Sequence, residues 1–403
     1  MRSVTELVEY KFEKHLDRRY LVNTLVRLLK IDCTVPMGPQ TLMEPDNPKL
    51  VHYVQEIIRP ELVSIGVHNI LDMPKNQIAV KLGSGRKDAS LLIMAYTPVQ
   101  HHNFMRDPFS GKIGIPVDYG VNEACAFGQG ASQNKAHFAA MLTLLKAFVD
   151  ADVGLSGTLY FAANNEGRSS HECSWAMIPK FNPKPKFGII LNGGNNRLSV
   201  ANRGRVDVLI HIKGKATHSS SPEQGLSAID GSVEVINRIK RMRFSKTHPK
   251  LGGIHAVPYQ VVFEPVLPHT LPDYARIKVD RRLLPGDDVD QAVAEVREAV
   301  GDMSPWEVKV EKDVVMLPSE VDPGSAIVIG VQKAIDSIDG KETELIYGKG
   351  AYDAGGPTSI GVPTVMYGRP VCGESLLGDD YVTLRGVEEE AKILGRVIMD
   401  MLS

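Results

Sequence analysis

A chain of 403 residues exceeds what one hydrophobic core usually organises, so two structural units, one inserted in the other, are the expected arrangement. With 43% hydrophobic and 23% charged residues, the composition excludes a disordered chain, a coiled coil and a disulfide scaffold. Forty-six Lys and Arg against 48 Asp and Glu leave a formal net charge of -2, too little to draw nucleic acid or an anionic membrane by a global field.

The chain opens with helical spacing of apolar residues over 17–30, ended by a Pro- and Gly-rich stretch at 34–48. Short apolar runs bounded by turn residues at 90–94, 158–162 and 187–191 read as buried strands of a mixed or parallel sheet. Residues 136–150 between them read as an amphipathic helix, and this alternation points to an α/β unit. After Arg205 the texture changes. Residues 206–212 and 275–281 alternate apolar and polar, as strands with one wet face do, and helical patterns at 226–243 and 288–301 accompany them. The basic run at 238–243 reads as a solvated helix end. From about 319 the α/β texture returns, with a helix near 324–337, a strand at 363–367 and a closing helix at 386–402. The expected organisation is an α/β unit over 1–204 and 319–403, interrupted by an inserted α+β unit over 205–318.

Cys33, Cys125, Cys173 and Cys372 lack CxxC spacing, and the N-terminus does not read as a signal segment, so a reducing cytoplasm is the expected location. No apolar run approaches the roughly 18 residues that span a bilayer.

The most specific stretch is Gly204 followed by 214–222 (GKATHSSSP) and 225–228 (GLSA). It resembles the "G…GkxxHss.P..G.nA" signature of the di-zinc hydrolase family that holds aminoacylase, acetylornithine deacetylase, succinyl-diaminopimelate desuccinylase and peptidase T (metallopeptidase family twenty). Further stretches fall in the family's order: 128–135 (GQGASQNK), Asn164 to Glu166, 191–194 (LNGG), 271–273 (LPD) with Asp280 and Arg281, and Asp353 ahead of 361–363 (GVP). The resemblance covers essentially the whole chain. It implies a zinc-binding α/β domain interrupted by a lid domain that commonly forms the dimer.

The positions that the resemblance marks as zinc ligands depart from it. A dication pair needs carboxylates and imidazoles, with a carboxylate bridging the two ions. In this sequence the "GHxDxxP" stretch carries Ala95 and Thr97, the bridging Asp falls on Gln133, and the "DEE" falls on Asn164, Asn165 and Glu166. The Asp of "DGG" falls on Asn192, and the last ligand His falls near Leu376, before Asp379, Asp380 and Tyr381. Asp to Gln, Glu to Asn and Asp to Asn keep volume and hydrogen bonding while removing charge, as a pocket without cations requires, because buried carboxylates would repel one another. Other donors, His101, His102, His137, His171, Glu123, Glu166 and Glu172, keep an atypical metal open, although no HxxxH or CxxC spacing selects them. Cys125 and Cys173 read as buried, inert thiols.

The expected function is that of an enzyme descended from amide hydrolases, acting without zinc on a small amino-acid-like or N-acylated substrate. His218 would polarise a carbonyl and Glu166 would serve as acid or base. Gln133, Lys135, Asn165, Asn192, Arg203 and Asp353 are the substrate-binding candidates, with Asn195, Asn196 and Lys349 as further polar groups. A homodimer through the inserted unit is expected. The rival reading is a non-catalytic member that binds a metabolite or pairs with an active paralogue.

Overall fold

The computed structural model describes residues 10–35, 43–84, 86, 88–99, 104–166, 170–374 and 378–403. The chain is α/β, and it divides into two compact units. One comprises Met1–Val200, Val321–Ile346 and Gly356–Ser403, and the other Ala201–Glu320 and Tyr347–Gly355. The segment Tyr347–Gly355, which sequence texture groups with the flanking unit, clusters with the inserted one because the strand Leu345–Ala351 pairs with the strand Arg197–Lys213.

In the flanking unit the strands run in the order Ile70–Met73, Gln77–Leu82, Thr158–Asn164, Ser90–Tyr96, Phe187–Leu191 and Thr364–Gly368, with the first residues of Arg197–Lys213 beyond. Ser90–Tyr96 lies parallel to Thr158–Asn164 and to Phe187–Leu191, and Thr364–Gly368 lies parallel to Phe187–Leu191. Every residue of Ser90–Tyr96 and of Thr158–Asn164 is buried, which is why both read as unbroken apolar runs. The helix Ala136–Asp150 is not amphipathic as expected: twelve of its fifteen residues are buried, and it packs against Arg18–Leu29 and Leu384–Leu402. Its buried polar members are held internally, Thr143 by donating its hydroxyl to the Ala139 carbonyl (2.7 Å) and His137 through Glu390 (2.8 Å). No described helix is long and apolar enough to cross a membrane.

In the inserted unit the rest of Arg197–Lys213 pairs antiparallel with Tyr274–Leu283 and Glu307–Met316, and Ala256–Glu264 forms the outer strand beside Tyr274–Leu283. Burial alternates strictly along Tyr274–Leu283, as a sheet covered on one face demands. Val206, Val208, Ile210, Ala275, Ile277 and Val279 form a core with Val235 and Ile239 of the helix Ala228–Arg241 and Val293 and Val296 of the helix Val289–Val300. Both helices begin at side-chain caps: Ser227 accepts from the N–H groups of Ile229 and Asp230, and Asp288 from that of Gln291.

Candidate functional site

Parallel pairing places Tyr96 opposite Asn164, so the residues that follow, Thr97 and Asn165, leave adjacent strand ends together. The Thr97 N–H donates to the Asn164 carbonyl (2.9 Å), and its hydroxyl donates to Asn165 Oδ1. Asn165 is fully buried, and its Nδ2 donates to the carbonyls of Lys75 (3.0 Å) and Asn76 (2.9 Å). Asn165 therefore spends both amide hydrogens and its oxygen inside the protein, and does not present them to a substrate as expected.

Glu166 is 1% exposed. Its Oε2 accepts from the Ser174 N–H (3.1 Å) and hydroxyl (3.2 Å), and its Oε1 accepts from the Ser170 hydroxyl (3.2 Å). Asn164 completes this relay by donating Nδ2 to Ser174 Oγ (3.1 Å) and accepting the Glu166 N–H (2.7 Å) at Oδ1. Donors of this kind anchor a carboxylate in place. Gln133 is buried in the helical turn Ala131–Lys135, which is tied down by Asp380: its Oδ2 accepts from the Gly130 N–H (2.7 Å) and its Oδ1 from that of Ser132 (3.1 Å).

Lys135, expected to face substrate, is instead fully buried, with Nζ donating to the Ile31 carbonyl (2.7 Å) and lying 5.4 Å from the Phe109 ring centre. Burial lowers its pKa. Asn192 is half-buried after the strand Phe187–Leu191, its N–H on the Tyr367 carbonyl (3.0 Å). Asn196 is tied to Asp339 (2.6 Å), and Asn195 Nδ2 lies 3.7 Å from Cys372 Sγ.

Four of the singled-out residues belong to the inserted unit. Arg203 is buried and directs Nε (3.0 Å) and Nη2 onto the Leu251 carbonyl, which again differs from a substrate contact. Asp353 is buried, and Lys349 is exposed. His218 is exposed on the short strand Thr217–His218, with its ring 6.1 Å from that of His269. The Ser220 N–H donates to His218 Nδ1 (3.2 Å), with the Ser220 hydroxyl 2.8 Å from the same atom. A ring nitrogen that accepts a backbone N–H carries no proton, so the neutral imidazole holds its hydrogen on Nε2, ready to donate.

The donor set at the positions matched to zinc ligands does not fit a zinc pair. Ala95, Thr97, Gln133, Asn165 and Asn192 supply neither a carboxylate nor an imidazole, and Thr97 bonds directly to Asn165 between two of those positions. The alternative donors are separately engaged: His137 with Glu390, His171 edge-on to Trp175, Glu172 with Lys75 (2.7 Å) and Glu123 with Arg385 (3.2 Å). Among the described residues no three or more His, Cys, Asp or Glu side chains are grouped to hold a metal ion. His101, His102 and Leu376 lie outside the described residues. Burial pushes the Cys125 thiol up to about 11 and the Cys173 thiol higher still, so neither is a ready thiolate at neutral pH. Ser170, Ser174 and the Lys75–Asn76 turn were not singled out from sequence. The Ser-rich stretch after Glu166 was the available signal.

The chain is thus a mixed-sheet α/β unit interrupted by an α+β unit with two helices on an antiparallel sheet. Residues 200–308 match the model of the M20 peptidase dimerisation domain. The chain is similar to the acetylornithine deacetylase of Yersinia pestis, at 21% identity over 78% of this chain and 80% of that protein. Among solved structures it resembles aminopeptidase PepT from Bacillus cereus (TM-score 0.72, 16% identity, 96% of this chain and 99% of that one). It also resembles an M20 family metallo-carboxypeptidase from Sulfolobus solfataricus (TM-score 0.73, 14% identity, 94% of this chain and 98% of that one). The chain therefore carries a match to the M20 dimerisation domain over 200–308, and over most of its length its fold resembles that of M20 peptidases.

Proposed function

We propose that the protein is an amidohydrolase- or peptidase-like enzyme that acts on a small amino-acid-like or N-acylated substrate at a site built without the zinc pair. The names of its relatives, a deacetylase and peptidases, support the amide-bond chemistry. The observation that carries the zinc-free reading is the neutral side-chain set at the ligand-matched positions other than Glu166, with Thr97 hydrogen-bonded to Asn165. His218 is the proposed electrophilic group, because its Nε2–H can donate to an oxygen that gains charge as a carbonyl is attacked. Gln133, Asn192 and Asp353 are the proposed substrate-orienting groups, and Glu166 the proposed acid or base.

Elemental analysis of purified protein tests this. Well below one tightly held zinc per chain is expected, and chelation should leave the melting temperature unchanged, since no metal binding is linked to folding. Two zinc ions per chain would overturn the proposal. A second reading, a non-catalytic metabolite-binding member, is favoured by the internal commitment of Asn165, Lys135 and Glu166. A metabolite screen separates the two: turnover supports the enzyme, and saturable binding without turnover supports the second reading.

We further propose a cytoplasmic homodimer joined through the inserted unit. Ala256–Glu264 ends the strand order and exposes Val257 (46%) and Tyr259 (54%), while Ile229 (42%) and Val233 (54%) form an exposed apolar stripe one turn apart on Ala228–Arg241. An edge strand and an apolar helix stripe on one unit can be buried together by an isologous contact. Light scattering should give a dimer mass for the wild type and a monomer mass for Ile229→Lys/Val233→Lys. A monomeric wild type would overturn this.

A further inference from the structure

The buried amides at the strand ends do more than neutralise lost carboxylates. Asn165 joins the end of Thr158–Asn164 to the hairpin of Ile70–Met73 and Gln77–Leu82, because its Nδ2 caps the carbonyls of Lys75 and Asn76. Those two residues have φ of 62° and 55°, a left-handed conformation that non-glycine side chains seldom adopt. Thr97, at the end of Ser90–Tyr96, fixes the amide's orientation by donating to its oxygen. Gln77 ties the same hairpin to the helix Glu172–Met177, its Nε2 donating to the carbonyls of Pro74 (2.8 Å) and Cys173 (3.0 Å). Asn164 and Glu166 meet that helix at Ser174.

We infer that this network is a hydrogen-bonded lock: Asn165, with Thr97 and Gln77, ties two strand ends, a hairpin turn and a helix together at the place where the family resemblance would put a metal centre. It is a positioning device, and it holds whether or not the protein turns over a substrate. The chemistry makes an amide necessary at position 165. Two carbonyl oxygens need donors and the Thr97 hydroxyl needs an acceptor, and an amide alone among side chains of that size supplies both. A carboxylate would aim negative charge at two carbonyls and leave them unpaired in the interior. Restoring an acid at position 165 should therefore break the lock without creating a zinc site.

The test uses Asn165→Asp and Thr97→Val, each nearly isosteric, in the full-length protein. Melting temperature is measured with and without zinc chloride, and hydrogen exchange is followed by mass spectrometry in peptides covering 70–82. Asn165→Asp should melt several degrees lower and exchange faster around 73–77, with zinc restoring neither. Thr97→Val should show the same exchange signature with a smaller loss of melting temperature, and it carries the test if Asn165→Asp does not fold. Wild-type melting and exchange in the variant tested would overturn the lock, as would a zinc-dependent rise in the melting temperature of Asn165→Asp. Elemental analysis of the wild type can fail its own expectation without affecting this result, so the two readings are separable.

Discussion

His218→Ala is expected to cut turnover of a substrate found by screening by on the order of 10²-fold, with little change in melting temperature. The ring is exposed on a two-residue strand, and its hydrogen bonds run to Ser220, two residues away, so its loss removes no buried contact. Its proton sits on Nε2 in the neutral form, since Nδ1 accepts the Ser220 N–H, and a donor aimed at a developing oxyanion acts more strongly on kcat than on KM. His218→Gln, which keeps an N–H donor, should recover part of the rate. Full activity in His218→Ala would remove this residue from the mechanism. Glu166→Gln is a poorer probe of an acid or base role, because one of the two oxygens becomes an NH2 that would replace the acceptor either of the Ser174 N–H and hydroxyl or of the Ser170 hydroxyl in a buried site. A loss of activity there would come mixed with a loss of stability.

The fold was legible because its strands announce their surroundings. Unbroken apolar runs such as 90–94 belong to strands buried on both faces, and the alternation over 275–281 belongs to a sheet with one covered face. The helix Ala136–Asp150 is more deeply buried than an amphipathic pattern implies, because its polar residues His137 and Thr143 are satisfied inside by Glu390 and the Ala139 carbonyl, which no local pattern announces. The positions matched to zinc ligands could be read only against the family resemblance, and the work their side chains do could not be read at all. Asn165 bonds to residues 90 and 89 positions away, and no local pattern encodes which carbonyls a hairpin will turn toward a strand end. Lys135 looked available because lysine is rarely buried, yet one carbonyl and one aromatic face suffice to house it.

Acid should weaken the flanking unit through His171, and His171→Leu should remove that sensitivity. The side chain is fully buried, with its ring centre 5.4 Å from that of Trp175, and burial depresses its pKa from 6.5 to about 4. The unfolded chain takes up the proton near pH 6.5 and the folded chain holds it off until about 4, so between these values the unfolded state binds more protons. The stability that the neutral ring allows is complete above about pH 6.5 and is lost as pH falls toward 4, a change of about 3 kcal/mol over that window. Calorimetric melting across pH 4–7 reads this as a slope. The wild-type transition should fall steeply with acid, whereas His171→Leu, whatever its absolute melting temperature, should give a shallower dependence by about that amount. Equal slopes for the two proteins would show that His171 does not carry the acid sensitivity, and that its ring is protonated in the folded state at the same pH as in the unfolded chain.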